Sequence, residues 1–220
     1  MNSTNAFTAT VSEAAFVAGV TDRDIHRVVD ELILPSTLFE TKNGRLFGSL
    51  ACVFASFYIR EQRLSKNARL QIICELTKRF ESQQQNDENG FFSPPLDLDN
   101  WIVEMDLLSV NIARYVDEAK PRIAQIAKAD DLVTTDNDVL GGEPVFTGTR
   151  VPVRTIAAWV ENGESLESIQ ASFPTITADM VEAAPLWAKT HPARGRPKAF
   201  GELNPGWKKI SKKRVKLENR

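Results

Sequence analysis

Few side chains in this sequence are of the kinds that act as nucleophiles or metal ligands. The chain has two cysteines, Cys52 and Cys74, and two histidines, His26 and His191. They form no CxxC pair and no Cys/His cluster with the spacing of a zinc site. No Ser/His/Asp or Cys/His arrangement for nucleophilic catalysis is indicated either. The sequence therefore predicts a protein that is not an enzyme, with no metal site and no cofactor.

A stretch rich in glycine and proline, residues 140–153, is the part of the chain that most resembles a ligand loop. Its glycines lack the GxxxxGK[ST] spacing of a phosphate-binding loop, and no lysine follows them. We therefore expect a backbone of turns and short extended pieces. Arg150, between a glycine turn and a Val-Pro step, has two possible roles: it binds local carbonyl groups, or it contacts a partner.

The charges of the chain are divided into two blocks. Residues 189–220 hold eleven lysines and arginines against two glutamates, a net charge of +9, whereas residues 1–188 carry −11. Such blocks are typical of solvated interaction tails. The tail is expected to bind nucleic acid or an acidic protein surface, and docking onto the acidic body of the same chain is the alternative.

Length and composition indicate two small domains. The chain has 220 residues, 42% of them hydrophobic, and no apolar run approaches the ~20 residues that span a bilayer. The first nine residues lack the pattern of a signal peptide. We expect a cytoplasmic protein without membrane association. Both cysteines lie in apolar helical patterns, so we expect two buried free thiols in a reducing compartment.

The N-terminal region, residues 1–82, has the pattern of two helices, a turn and a hairpin. Ser12 is expected to cap the first helix, and Thr21 to cap a second helix over residues 22–32. Ile25, Val28, Val29 and Leu32 form the apolar face of the second helix, which leaves Arg23, His26, Arg27 and Asp30 facing outward. Asn43-Gly44 is a strong hairpin-turn signal. The pattern predicts a winged helix-turn-helix.

This region resembles the DNA-binding head of MerR-like regulators. The resemblance is carried by Ser12-Glu13-Ala14-Ala15, Gly19-Val20-Thr21, Leu32-Ile33-Leu34-Pro35 and Gly44-Arg45-Leu46-Phe47. It implies that Arg23, His26 and Arg27, with Thr21, face the major groove, and that Lys42 and Arg45, with Asn43, face phosphates. Asp22 and Asp24 oppose that role, and a head used only for protein contact is the alternative.

Three further segments precede the C-terminal part. Residues 50–59 and 68–80 are predicted helices whose apolar side chains form a core or, as in MerR-like proteins, lead to a homodimer contact. Residues 83–95 are a predicted linker. Residues 96–131 are predicted as a connector, with a strand at residues 101–105 followed by a long helix that begins near Leu107 and Leu108 and kinks at Pro121.

Residues 132–190 are predicted to form a small bundle of three helices, similar to a homeodomain. The first helix ends at Asn162-Gly163, Ser165 caps the second, and Thr177 caps the third. Leu166, Ile169 and Phe173 are the expected buried stripe of the second helix. The fold class is therefore mainly α, with a short β hairpin, short strands and an extended basic tail.

The C-terminal bundle resembles a domain-of-unknown-function family found as antitoxins of VapBC-like toxin–antitoxin modules. The motifs that carry the resemblance are Gly141-Gly142-Glu143-Pro144-Val145-Phe146, Gly148-Thr149-Arg150-Val151-Pro152-Val153, Gly163-Glu164-Ser165, Phe173-Pro174 and Thr177. It implies a type II antitoxin that neutralises a PIN-like ribonuclease in a hetero-oligomer and represses its own operon. The alternative is a stand-alone MerR-like regulator whose C-terminal half senses a ligand or partner.

The basic tail, residues 191–220, has two possible partners. Arg194-Gly195-Arg196-Pro197 resembles an AT-hook, whose arginines enter a narrow minor groove. The same arginines could instead pair with the metal-binding carboxylates of a PIN-like nuclease. Trp207, followed by Lys208 and Lys209, offers an aromatic anchor for a protein partner. We assign the Trp207 end to the toxin and leave Arg194 and Arg196 open between toxin and DNA.

Overall fold

The computed structural model describes residues 7–41, 44–82, 96–97, 99–106 and 108–193. In this part of the chain the protein is mainly helical with short antiparallel strand pairs, as predicted. Its α-helices are α1 Val11–Ala18, α2 Asp22–Asp30, α3 Ser49–Arg60, α4 Lys66–Glu81, α5 Ala113–Asp131, α6 Val153–Glu161, α7 Leu166–Ser172 and α8 Ala178–Thr190. Its strands are β1 Thr8–Ala9, β2 Phe39–Glu40, β3 Leu46–Gly48, β4 Ile102–Met105, β5 Leu108–Asn111, β6 Val133–Thr134 and β7 Val145–Phe146. None of these helices is long and apolar enough to cross a membrane.

The predicted hairpin after α2 is present. β2 and β3 pair antiparallel, with Phe39 opposite Phe47, and β1 pairs with the other edge of β3, so the sheet has the order β1-β3-β2. Phe47 is buried, and its ring stacks on Phe39 with centroids 6.1 Å apart. The hairpin is therefore anchored to the core through its apolar side chains. Lys42 and Asn43, predicted to face phosphates, lie outside the described residues.

The predicted cap of α1 is wrong by two positions. The helix begins at Val11, and its N-cap is Thr10, whose backbone N–H donates to Oε2 of Glu13 at 2.6 Å. Ser12 lies inside the first turn, and its hydroxyl donates to Asp22 at 2.7 Å. A carboxylate that reaches back to the N-cap satisfies an otherwise unpaired backbone donor.

The predicted end of α2 is also wrong. The helix ends at Asp30, and Leu32, expected on the apolar face, is 84% exposed. Leu32 has φ of 55°. A residue in this left-handed region cannot continue a right-handed helix, so the chain turns there and Ile33 and Leu34 enter the core instead.

The two helices after the hairpin are confirmed as α3 and α4, but the thiols differ from the prediction. Cys52 is buried in α3, whereas Cys74 is exposed on α4. The apolar pattern around Cys74 comes from its neighbours Ile73 and Leu76, whose side chains are buried. Burial strongly raises the pKa of the Cys52 thiol.

The predicted strand at residues 101–105 is confirmed as β4, but the helix after it starts later than expected. Residues 108–111 form β5, which pairs antiparallel with β4, with Val103 opposite Val110. Leu108, Val110 and Ile112 alternate with polar residues, which is the period of a strand rather than a helix. α5 begins at Ala113 and continues as one helix through Pro121. Leu107 lies outside the described residues.

Buried side chains form two clusters that meet along α5. The first cluster joins the N-terminal helices and sheet to β4 and to the first part of α5, down to Ile126. The second surrounds α6, α7 and α8 and includes Ala129 of α5. α5 therefore contributes side chains to both clusters, and α1 also contacts α8 directly.

The predicted three-helix arrangement of the C-terminal part is present as α6, α7 and α8. Ser165 accepts a hydrogen bond from the Ser168 N–H at 3.2 Å, and Thr177 accepts one from the Met180 N–H at 3.3 Å, so both predicted caps are confirmed. Leu166, predicted in the buried stripe of α7, is 36% exposed. It is the first residue of a short helix and lies beyond the edge of the second cluster.

Candidate nucleic-acid interface

The start of α2 is fixed by a capping box. Thr21 Oγ1 accepts a hydrogen bond from the Asp24 N–H, and Asp24 Oδ2 accepts one from the Thr21 N–H, both at 3.2 Å. The Thr21 hydroxyl also donates to Asp24 at 2.7 Å, and this bond holds the pKa of the Asp24 carboxyl below its usual value. Asp24 is therefore ionised at neutral pH, and its carboxylate is already hydrogen-bonded to the N-cap residue of α2.

The outer face of α2 carries the basic residues that were predicted to face DNA. Arg23, His26 and Arg27 are exposed, while Ile25 and Val28 are buried. The buried side holds the helix on the first cluster, so the opposite side is presented to solvent. This arrangement agrees with the prediction that the three side chains face outward.

The hairpin is joined to this face by Arg45. Its Nη1 donates to Nδ1 of His26 at 2.8 Å, and its Nη2 donates to Oδ1 of Asp30 at 2.6 Å. The Arg45 guanidinium therefore lies against α2, rather than projecting from the hairpin as a separate phosphate contact. In this position it adds a positive charge beside His26 and is partly neutralised by Asp30.

Carboxylates moderate the charge of the same face. Arg27 Nη1 is 3.9 Å from Asp24 Oδ1, a weak and exposed pair. Asp22 accepts the Ser12 hydroxyl at the start of the helix. Arg23 makes no ion pair with a described residue. On this face, Arg23 and Arg27 are therefore the cationic side chains that are freest to bind a ligand. Asp22 and Asp30 lie at the two ends of the face.

The glycine-rich stretch forms the turns that were predicted. Gly142 and Gly148 have positive φ, and the Thr149 hydroxyl both donates to the Phe146 carbonyl at 2.9 Å and accepts from the Val151 N–H at 3.1 Å. These bonds hold the loop without Arg150, which is exposed. Within the described residues no carbonyl group accepts a bond from Arg150, so its side chain is available to a partner.

The predicted site residues of the tail cannot be placed. Arg194, Arg196, Trp207, Lys208 and Lys209 lie outside the described residues. The described chain ends just after α8, which closes with Thr190, and the carbonyl of His191 accepts a hydrogen bond from Arg154. All three helices of the C-terminal bundle therefore lie within the described residues.

One group of polar side chains was not predicted. Glu13 of α1, Asp130 of α5 and His191 after α8 bring one ligand atom each within 4.8 Å of one another. Burial raises the pKa of Asp130 above its usual value, against the attraction of His191. The three residues are far apart in sequence, and no spacing rule could have grouped them.

Comparison with known proteins relates the chain to two groups. Residues 133–188 match the family described as "Protein of unknown function (DUF433)". The "Uncharacterized protein y4eO" of Sinorhizobium fredii is 34% identical over 205 residues, which cover 93% of this chain and 90% of that protein. No solved structure matches the chain. The alignment includes both the N-terminal helices and the C-terminal bundle, so the chain belongs to the same family as the uncharacterized protein y4eO of Sinorhizobium fredii, with a DUF433 domain in its C-terminal half.

Proposed function

We propose that this protein is the antitoxin of a type II toxin–antitoxin system, with an N-terminal head that binds operator DNA in the manner of a winged helix-turn-helix. The observation that carries the DNA-binding part is the exposed face of α2, where Arg23 and Arg27 flank a His26–Arg45 pair. A helix of this kind beside a hairpin fits a major groove, with the hairpin over the flanking backbone.

The cationic groups of this face suit phosphate contact more than base reading. Guanidinium groups bind phosphate oxygens through charge-assisted hydrogen bonds. Asp30 and Asp24 reduce the attraction, so we expect moderate affinity from one head and a need for two heads on a palindromic operator. This supports a homodimer on DNA, the oligomeric state proposed with the function.

The C-terminal part of the proposal rests on the DUF433 match and on its resemblance to VapBC-associated antitoxins. In this proposal the exposed Arg150 and the basic tail bind a PIN-like ribonuclease. Its metal-binding carboxylates are the chemical counterpart of an unpaired arginine. Cytoplasmic location follows as part of the same proposal, because the toxin's RNA substrates are there.

Depletion of the protein in its native cells tests this function against that of a stand-alone regulator. An antitoxin protects against a toxin made by the same cell, so its depletion should arrest growth, and deletion of the neighbouring nuclease gene should restore growth. Normal growth after depletion, with altered transcription of a few genes, would favour the regulator and reject the antitoxin proposal.

A further inference from the structure

Glu13, Asp130 and His191 meet where three separate helices converge. Glu13 lies in the first turn of α1, Asp130 is the penultimate residue of α5, and His191 directly follows α8. His191 Nε2 is 3.4 Å from Glu13 Oε1 and 3.8 Å from Asp130 Oδ1. The Glu13 side chain is 8% exposed, so its carboxylate faces His191 from within the protein.

The hydrogen bonds of His191 determine which of its nitrogens carries the proton. Nδ1 lies 3.2 Å from the Trp187 carbonyl and 3.1 Å from the Thr190 hydroxyl oxygen. A carbonyl only accepts, and the Thr190 hydroxyl donates its own hydrogen to carbonyls of α8. Nδ1 therefore carries a proton, and Nε2 is the nitrogen directed at the two carboxylates.

A ring nitrogen and carboxylate oxygens approach each other when a cation, either a proton or a metal ion, lies between them. A proton shared by His191 and Glu13 would give a charge-assisted hydrogen bond of about 2.7–2.9 Å. The observed 3.4 Å is longer. Ligands at about 2.1 Å from a tetrahedral Zn²⁺ stand roughly 3.4 Å apart, which matches the His191–Glu13 separation.

Trp187 fixes the orientation of two of the three ligands. Its ring is stacked on the His191 imidazole, with centroids 4.3 Å apart and an angle of 7° between the planes. Its indole is near enough to Asp130 to act against the rise in the pKa of that carboxyl. The second oxygen of Glu13 is in turn held by the Thr10 N–H at 2.6 Å. Outer contacts that orient ligands in this way are typical of metal sites.

We infer that Glu13, Asp130 and His191 form a binding site for a divalent transition metal, with Zn²⁺ as the best fit, that joins the N-terminal helices to the DUF433 domain. Imidazole and carboxylate ligands suit Zn²⁺. Three protein ligands leave a fourth position for water or a partner's side chain. This site does not depend on the proposed function, and it differs from the sequence-based expectation that the protein has no metal site.

Titration of the full-length protein with Zn²⁺ tests the site, by calorimetry and by the visible absorption of Co²⁺ as a spectroscopic substitute. We expect one ion per chain. H191Q should weaken binding at least about tenfold. D130N should weaken it as well, and because the Asp130 side chain is 44% exposed, we expect this variant to fold. H26Q is the matched control, because it removes the other histidine of the chain, and it should bind Zn²⁺ like the wild type.

Three results would overturn the site. Binding that persists in both H191Q and D130N would place the metal elsewhere, and a C74S variant would show whether the exposed thiol holds it. Equal loss in H26Q would point to adventitious binding through histidines. The third result is that the wild type binds no metal, and that wild type and H191Q differ only in how their unfolding depends on pH. In that case the cation between His191 and the carboxylates of Glu13 and Asp130 would be a proton, and the three residues would form an ion pair.

Discussion

Arg45 of the hairpin and Asp30 of α2 are joined by an ion pair, with Nη2 2.6 Å from Oδ1. The same guanidinium pairs with no other carboxylate among the described residues, but it also donates a hydrogen bond to His26. This contact couples the hairpin to the exposed face of α2. It also means that Asp30 competes with any phosphate for Arg45.

Replacement of Asp30 by asparagine should therefore strengthen DNA binding. The variant removes a negative charge from the face and frees Arg45, and we expect Kd for DNA from upstream of the gene to fall roughly two- to tenfold at low salt. Fluorescence anisotropy at two salt concentrations measures this, and the gain should shrink as salt rises. D138N, the same charge change in the exposed C-terminal loop, should have no such effect. An unchanged or weaker affinity of D30N would argue that this face does not meet DNA.

Arg27→Ala should weaken binding to the same DNA by about 1–3 kcal/mol. Arg27 is exposed, and its pair with Asp24 is long at 3.9 Å, so the melting temperature should change little. Lys78→Ala, which removes an exposed cation from α4, is the matched control. If both variants bind DNA equally well, the α2 face is not the reading surface. A large drop in melting temperature for Arg27→Ala would point to misfolding.

Glu61 should make stability depend on acid pH. Hydrogen bonds from Arg63 lower its pKa to about 2, with further help from Tyr115 and Arg114. Because the folded pKa lies below the unfolded value of about 4.3, the ionised form stabilises the fold above that pH, and the contribution is lost as pH falls from about 5 towards 2.

The size of that contribution can be measured with Glu61→Gln. Because Arg63 and Arg114 are largely exposed, we expect on the order of 1–2 kcal/mol at pH 7. Urea unfolding of the wild type and the variant should differ at pH 7 and converge near pH 2. Glu75→Gln, which removes an exposed carboxylate of α4, is the control. Parallel curves for wild type and Glu61→Gln at all pH values would show that the pKa of Glu61 is not depressed.

Removal of residues 194–220 should abolish toxin neutralisation and leave the fold intact. The last described helix, α8, ends at Thr190, and the carbonyl of His191 accepts a hydrogen bond from Arg154. Both features precede the truncation point at residue 194. We expect an unchanged melting temperature and little change in the affinity of the head for DNA. Rescue of growth from the toxin measures the neutralising activity. A truncated protein that still rescues growth would show that the tail is not the inhibitor.

Local signals in the sequence predicted much of the fold. Thr21, Ser165 and Thr177 cap helices as expected, because an N-cap depends on neighbours within one turn. Asn43-Gly44 indicated the hairpin, and the antiparallel pairing of β2 with β3 agrees with that prediction. The failures have a different origin. β5 was predicted as the start of a helix because Leu108, Ile112 and Val116 also recur at helical spacing, although Leu108, Val110 and Ile112 alternate as in a strand. The exposure of Leu32 depends on its positive φ, which leucine rarely adopts.

The candidate sites likewise have a part that local sequence patterns predict and a part that depends on tertiary packing. The outward face of α2 could be predicted from helical periodicity, which places Arg23, His26 and Arg27 opposite the buried side chains. The pairing of Arg45 with Asp30 needs the position of the hairpin relative to α2. The meeting of Glu13, Asp130 and His191 needs the packing of α1, α5 and α8, and no local pattern carries that information.

Affinity purification of the tagged protein from its native cells, with mass spectrometry of the bound material, is the most direct test of the proposed function. The account predicts a near-stoichiometric small nuclease that is lost when residues 194–220 are removed, together with DNA from upstream of the gene that is lost in Arg27→Ala. Recovery of promoter DNA without any nuclease would contradict the antitoxin function and leave a DNA-binding regulator.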